Sequence, residues 1–468
     1  MPARALTSRF PVLALRDFRL LLADRLIAPG AFAFSLVGVA FAVLDATGST
    51  ADLSYVLAAQ IAPSLVFTLI GGVFADRMPP QRVIIAGNLL IALGEGTFGV
   101  LILTGHARLW QMIVLEAVTG TGMAVFYPAS QALLPRLVPG ELLTQASALS
   151  RLAMNAGQMG GAAVAGLVVA AVGPGWALAT CGAGMMATTP VLLSLRVTAA
   201  DRPPGHDMLR ELRDGWSEVR SRTWLWAIVA QYSIILMAWY GGFQVLGPAV
   251  ARAHLGGPVA WGAITAAESV GFIAGGVVSL RFKPRRPMLF VVLMGFTIAI
   301  PTLSLAMLWP LPLVCICSFG VGMAVEVMMV QWTVAMATNI PPDRLARVSS
   351  YDALGSTMAM PVGALAAGPI AATIGVSAAQ YGAVILILAS SALALIPRDI
   401  WTMRSGSAGG GSGAQVTGAA RAAGAALATP EEAAAPSAAD AAVPAVAAAG
   451  IAAVVSGRQA PLNTGSLT

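Results

Sequence analysis

Lysine is almost missing from this sequence. Lys283 is one of 27 basic residues, and all the others are arginine. Charge of either sign is scarce as well, at 10% of 468 residues. A soluble domain carries about a quarter charged residues, so this chain cannot clothe the surfaces of soluble domains of that total length. The lone lysine follows no glycine-rich loop, which excludes a phosphate-binding P-loop and an ATP-driven pump. Only three histidines occur, His106, His206 and His254, without metal-ligand spacing. The three cysteines, Cys181, Cys315 and Cys317, lie inside apolar stretches, where they act as small hydrophobes rather than as disulfide partners. No aspartate-rich motif suggests a prenyl transferase. These absences leave no enzyme chemistry, no metal and no cofactor to expect. The net charge of +6 forms no single patch, so nucleic acid is not an expected partner.

What is present is apolar length. Hydrophobic residues make up 57% of the chain and the mean hydropathy is +0.79. A transmembrane helix needs roughly 20 apolar residues, and twelve such runs are legible. The first, from about Phe18 to Leu44, is too long for the apolar region of a cleaved signal and reads as a span. The expected organisation is a cytoplasmic N-terminus (1–19), a six-helix bundle (20–196), a central loop (197–223), a second six-helix bundle (224–396) and an Ala/Gly-rich tail (397–468). The fold class is thus an all-α membrane protein of twelve helices in two parallel six-helix repeats. In the central loop Met208, Leu209, Leu212, Trp216 and Val219 recur at helical spacing, as in an amphipathic helix lying on the membrane surface. The tail is low in complexity and expected to be disordered. Residues 438–455 are apolar but mostly alanine, with Pro444 and Gly450 inside, and are not read as a further span.

Alternate loops differ sharply in basic charge. With the N-terminus inside, 21 basic residues fall on inner segments, and only Arg108 and Arg252 fall outside. The positive-inside rule then places both termini in the cytoplasm.

The chain also repeats itself. Met123-Ala124-Val125 and Gln131 recur as Met323-Ala324-Val325 and Gln331. Pro139-Gly140-Glu141, Leu143 and Ser147 match Pro341-Pro342-Asp343, Leu345 and Ser349. Gly161, Gly166 and Gly173 match Gly363, Gly368 and Gly375. Parallel repeats of membrane helices around a midplane hollow are a transporter architecture.

The loop after the second span reads Gly71-Gly72-Val73-Phe74-Ala75-Asp76-Arg77-Met78-Pro79-Pro80-Gln81-Arg82. It resembles the signature cytoplasmic loop of the major facilitator superfamily. The resemblance implies that Gly72, Asp76, Arg77 and Arg82 form a cytoplasmic latch between the halves. The second half holds a degraded copy, Gly275-Gly276-Val277-Val278-Ser279-Leu280-Arg281. Leu15-Arg16-Asp17-Phe18-Arg19-Leu20, Tyr127-Pro128-Ala129, Ser150-Arg151, Asn155-Ala156-Gly157 and Glu211-Leu212-Arg213-Asp214-Gly215-Trp216 resemble the bacterial exporter branch that includes the enterobactin exporter and macrolide-efflux relatives. That likeness, over about residues 10–400, implies a monomeric exporter in a bacterial inner membrane that moves a small organic molecule against proton influx. Two positions depart from the usual antiporter pattern: Glu116 stands where an arginine is common, and Gly160-Gly161 where Gly-Pro is common.

Ionisable residues inside spans are costly and mark partners, ion pathways or proton relays. Glu95, Glu116, Glu268 and Glu326 are the candidates for proton coupling. Asp24 and Arg25, near the end of the first span, are expected to snorkel or pair at the interface. Asn155 and Gln158 in the fifth span, and Trp239, Tyr240, Phe243 and Gln244 in the seventh, are candidates for lining a substrate cavity. An uptake permease of the same fold and a non-transporting membrane sensor remain alternatives.

Overall fold

Proline and glycine set where the helices begin and end. Prolines stand in the first turn of several helices, where the missing N–H is no loss. The computed structural model describes residues 11–77, 79–195, 220–279, 281–282 and 284–402, all within the compact unit Met1–Ala426. The tail and most of the central loop, with its expected amphipathic helix, lie outside the described residues.

The first half holds α1 (Arg16–Thr47), α2 (Thr50–Arg77), α3 (Pro80–Leu103), α4 (Leu109–Leu137), α5 (Leu143–Val172) and α6 (Pro174–Leu193). The second holds α7 (Thr223–Leu255), α8 (Pro258–Ser279), α9 (Pro287–Ala306), α10 (Leu311–Asn339), α11 (Pro342–Thr357, then Met360–Ile374) and α12 (Val376–Leu393). Among the described residues, 11 helices are long and apolar enough to cross a membrane. The remaining expected span falls in the 28-residue α2, whose side chains from 64 to 77 lie outside the described residues.

Within the first half α1 packs on α5 and α6, α3 on α4 and α6, and α2 on α4. Within the second, α8 packs on α10, α9 on α10 and α12, and α7 on α11 and α12. The halves meet where α5 crosses α8 and where α2 crosses α11. These two crossings exchange under the repeat, since α5 corresponds to α11 and α8 to α2.

The repeated glycines explain how one motif serves both halves. A Cβ on Gly161 would overlap the Gly30 carbonyl of α1, and one on Gly363 the Met237 carbonyl of α7. A Cβ on Gly166 would press on Pro258 and Gly262 of α8, and one on Gly368 on Thr50 and Ser54 of α2. Gly173 ends α5 with φ 93° and ψ 164°, and Gly375 ends α11 with φ 91° and ψ 153°. Side chains rarely adopt that conformation. Each triplet thus seals a helix pair within its half, admits a helix of the other half, and turns the chain. Close backbone approach of this kind holds membrane helices together where no hydrophobic force acts between them.

The contacts joining the halves gather at the arginine-poor end. Arg252, at the end of α7, reaches Asp45 of α1 at 3.1 Å and the Leu44 carbonyl at 2.5 Å. The Gly368 N–H donates to Ser54 Oγ at 2.7 Å. In α7, residues Tyr240–Val245 widen into a π-helical turn. Leu246 N–H reaches back five residues to the Gly241 carbonyl, and Gln380 of α12 donates to the Gly242 carbonyl at 3.0 Å. Irregular backbone at membrane depth needs such a partner.

Candidate functional site

The polar groups between the halves start from α5. Arg151 lies about two turns from its arginine-rich end and donates to Glu326 of α10 at 3.3 Å, an ion pair that bridges the two halves. The Arg151 side chain is 73% exposed and that of Glu326 20%, so the pair is not enclosed. Asn155 and Gln158 follow at i+4 and i+7 and share that face of α5. Both are half-buried. Tyr240 and Gln244, on the widened turn of α7, are half-buried too, and Tyr240 comes within electrostatic reach of Glu116 in the other half. Phe243 does not line an open space. It is fully buried, stacked on Trp239 at 5.8 Å and 5.2 Å from Trp261. Glu268 is half-buried on α8. Its backbone carbonyl lies where a Cβ on Gly322 of α10 would fall.

Two acids are enclosed inside the first half. Glu95 and Glu116 are 0% exposed and within electrostatic reach of each other. Ser35 of α1 donates to Glu95 Oε1 at 2.5 Å, and Gln60 of α2 to Glu116 Oε2 at 2.6 Å. The second oxygen of each carboxyl, Glu95 Oε2 and Glu116 Oε1, is buried without a hydrogen-bond partner among the described residues. The close fit of α2 on α4 that makes the Gln60 bond possible depends on Gly120, where a Cβ would fall on the Gln60 carbonyl.

In the second half a cavity of about 470 Å³ opens among α7, α9, α10 and α11, toward the arginine-rich end. Asp352 is its charged residue. It accepts from Trp332 Nε1 at 2.8 Å and from Ser356 Oγ at 3.5 Å, and Tyr232 lies within its electrostatic reach.

Two expectations change. Asp24 and Arg25 do not snorkel, though they do meet electrostatically: both are buried, and Arg25 also donates to the Ser130 carbonyl at 2.6 Å. The helix carries them inward because α4 and α5 pack over that face, where Met154 Sδ also meets the guanidinium at 3.7 Å. The second concerns residues passed over. Arg151 and Asp352 both lie within expected spans, so the rarity of charge there was a signal available for each. Of the expected latch, Arg82 is exposed at the start of α3, while the side chains of Gly72, Asp76 and Arg77 lie outside the described residues. Gln81 beside it donates to the Leu192 carbonyl at 2.5 Å, tying α3 to α6.

Two six-helix halves that meet chiefly through exchangeable helix pairs fit a carrier, and comparison with known proteins agrees. The model of the Major Facilitator Superfamily matches residues 27–351. The chain belongs to the major facilitator superfamily. This facilitator is 26% identical over 385 residues to the multidrug efflux pump Tap of Mycolicibacterium fortuitum, covering 80% of this chain and 92% of that one. It is 22% identical to macrolide efflux protein A of Streptococcus pyogenes, over 73% and 86% of the two chains. It is 26% identical to the enterobactin exporter EntS of Escherichia coli O1:K1 / APEC, over 68% and 77%. Its fold matches a bacterial homologue of the human lysosomal transporter Spinster in an inward-facing, unoccupied conformation, with TM-score 0.64, 17% identity and coverage of 84% and 100%. It is a multi-pass membrane transporter with relatives among efflux proteins.

Proposed function

We propose that this facilitator exports a small organic molecule across a bacterial cytoplasmic membrane in exchange for protons, working as a monomer with both termini inside. The basic loops favour that orientation. It puts the joined, arginine-poor ends of the halves outside and the open hollow toward the cytoplasm, the state in which an exporter loads. The observation that carries the reading is the Arg151–Glu326 pair. An acid whose charge ties the halves together is a place where a proton changes their balance, because protonation removes the charge that holds Arg151. A ligand moves a two-state equilibrium only through such differential contact. Glu95, Glu116 and Glu268 are the further proton sites in this reading, and Asn155, Gln158, Tyr240 and Gln244 face the cargo. Gly72, Asp76, Arg77 and Arg82 latch the cytoplasmic ends when the hollow opens outward.

Inverted membrane vesicles energised with a proton gradient provide the test, with a macrolide and a fluorescent dye as probes. Export predicts accumulation that an uncoupler collapses, and loss of that accumulation in Glu326→Gln and Asp76→Asn. Accumulation indifferent to the gradient removes the proton exchange. An uptake permease would instead accumulate the probe in right-side-out vesicles, and a sensor would move it in neither.

A further inference from the structure

The cavity of the second half has a chemistry of its own. Its volume of about 470 Å³ falls in the range of drug-sized sites, roughly 300–1,000 Å³. Ile228, Ile235, Leu236 and Val291 supply apolar wall, and Met328 and Met329 a wall that adapts to shape. Trp332 and Tyr232 add aromatic surface. Against this wall stands Asp352, held by neutral donors, Trp332 Nε1 at 2.8 Å and Ser356 Oγ at 3.5 Å, with no arginine paired to it among the described residues. The indole bond fixes the carboxyl at the cavity surface, and Ala353 beside it is exposed, so the site is open to entry. A carboxylate on an apolar, aromatic wall attracts one kind of guest: a positive centre, to satisfy the carboxylate and the ring faces, carried on a bulky apolar body that replaces water along the wall.

We infer that this cavity binds an organic monocation with an aromatic or aliphatic body, with Asp352 as counter-charge and Trp332 as both its anchor and a stacking surface. The inference deepens the export reading, on which it rests for the direction of loading, since the cavity lies toward the end proposed as cytoplasmic. Glu326 and Arg151 then serve the exchange of protons and Asp352 the choice of cargo.

The test uses the purified full chain in lipid nanodiscs, with radiolabelled tetraphenylphosphonium as the cation and triphenylphosphine oxide as a neutral probe of related shape. The wild type should bind the cation and discriminate against the neutral compound. Asp352→Asn keeps an acceptor for Trp332 and should weaken cation binding by roughly tenfold or more, leaving the neutral compound unaffected. Asp352→Glu should stay near the wild type, and Trp332→Phe should lose roughly threefold. Equal binding of both probes by the wild type, no cation binding at all, or an Asp352→Asn protein that binds the cation unchanged overturns the site. The probe comparison on the wild type decides the matter even if a variant does not fold. Cation binding that persists while vesicle accumulation shows no proton dependence leaves the site standing and removes only the proton exchange.

Discussion

In the first half Glu95 and Glu116 are fully enclosed, each with one carboxyl oxygen held by a neutral donor from a neighbouring helix. In the second half Glu268, Glu326 and Asp352 each keep part of their surface open. The glycine skeleton around these acids is nevertheless the same, residue for residue, in Gly161/Gly363, Gly166/Gly368 and Gly173/Gly375. Duplication therefore preserved the backbone contacts that let helices cross, while the polar groups diverged. Backbone approach is fixed by geometry and tolerates no side chain. Polar groups are freer, as Glu326, three residues after Met323 in α10, falls opposite Phe126, three residues after Met123 in α4, rather than opposite Glu116.

Matched substitutions put that contrast at risk. The largest effect is expected from Gly161→Val and Gly363→Val. Both force a side chain into a carbonyl and should destabilise the detergent-solubilised protein by about 1–3 kcal/mol or more, to a similar degree, as read by thermal unfolding of tryptophan fluorescence. A mild effect on one side only would break the equivalence of the halves. Next comes Gln60→Leu, which strips Glu116 of its donor and should cost about 1–3 kcal/mol. Its counterpart is Ser318→Ala in α10. Ser318 Oγ is buried with no hydrogen-bond partner among the described residues, so this change should be neutral or slightly stabilising. A costly Ser318→Ala would mean that the second half hides a polar network like the first.

Glu95→Gln sharpens the comparison differently. It preserves shape and an acceptor for Ser35, so unfolding should move by less than about 1 kcal/mol, while proton-driven accumulation in vesicles should fall. Unchanged accumulation would leave Glu95 as a packing residue only. The smallest effect belongs to Arg252→Gln. Its pair with Asp45 is about half exposed, at 44% and 49%, and such pairs contribute about 0–1 kcal/mol, reduced by salt. A double-mutant cycle with Asp45→Asn should return a coupling in that range.

The sequence made some of this legible and not the rest, for physical reasons. Span positions are carried by long apolar runs, which one helix displays without help from another. The glycine repeats were visible because close approach demands one residue type at a fixed place. The acids were visible because charge is rare in spans. Their partners were not. Arg151 meets Glu326, and Gln60 meets Glu116, only because separate helices cross there. A membrane helix that is apolar all round does not advertise which face turns inward, so Phe243 read as a cavity wall and Arg25 as an interface residue until the packing of α8 and α5 fixed their surroundings. Asp352 was legible as a rare charge within its expected span, but nothing in the sequence tied it to a cavity. Only the approach of Trp332 from α10 makes it part of a cavity.

The wide turn at Tyr240–Val245 holds one residue more than an α-helix would use over the same rise. Deleting a single codon there would let the segment relax to ordinary winding with the helix beyond it still in register, whereas the same deletion in an α-helical stretch of α7 would swivel everything beyond it by about 100°. Residues 223–239, with their share of the cavity, and the Arg252–Asp45 pair would both stay in place. The turn thus absorbs a change of one residue in length, so the outer portion of α7 keeps its fit against α1 whether or not the extra residue is there.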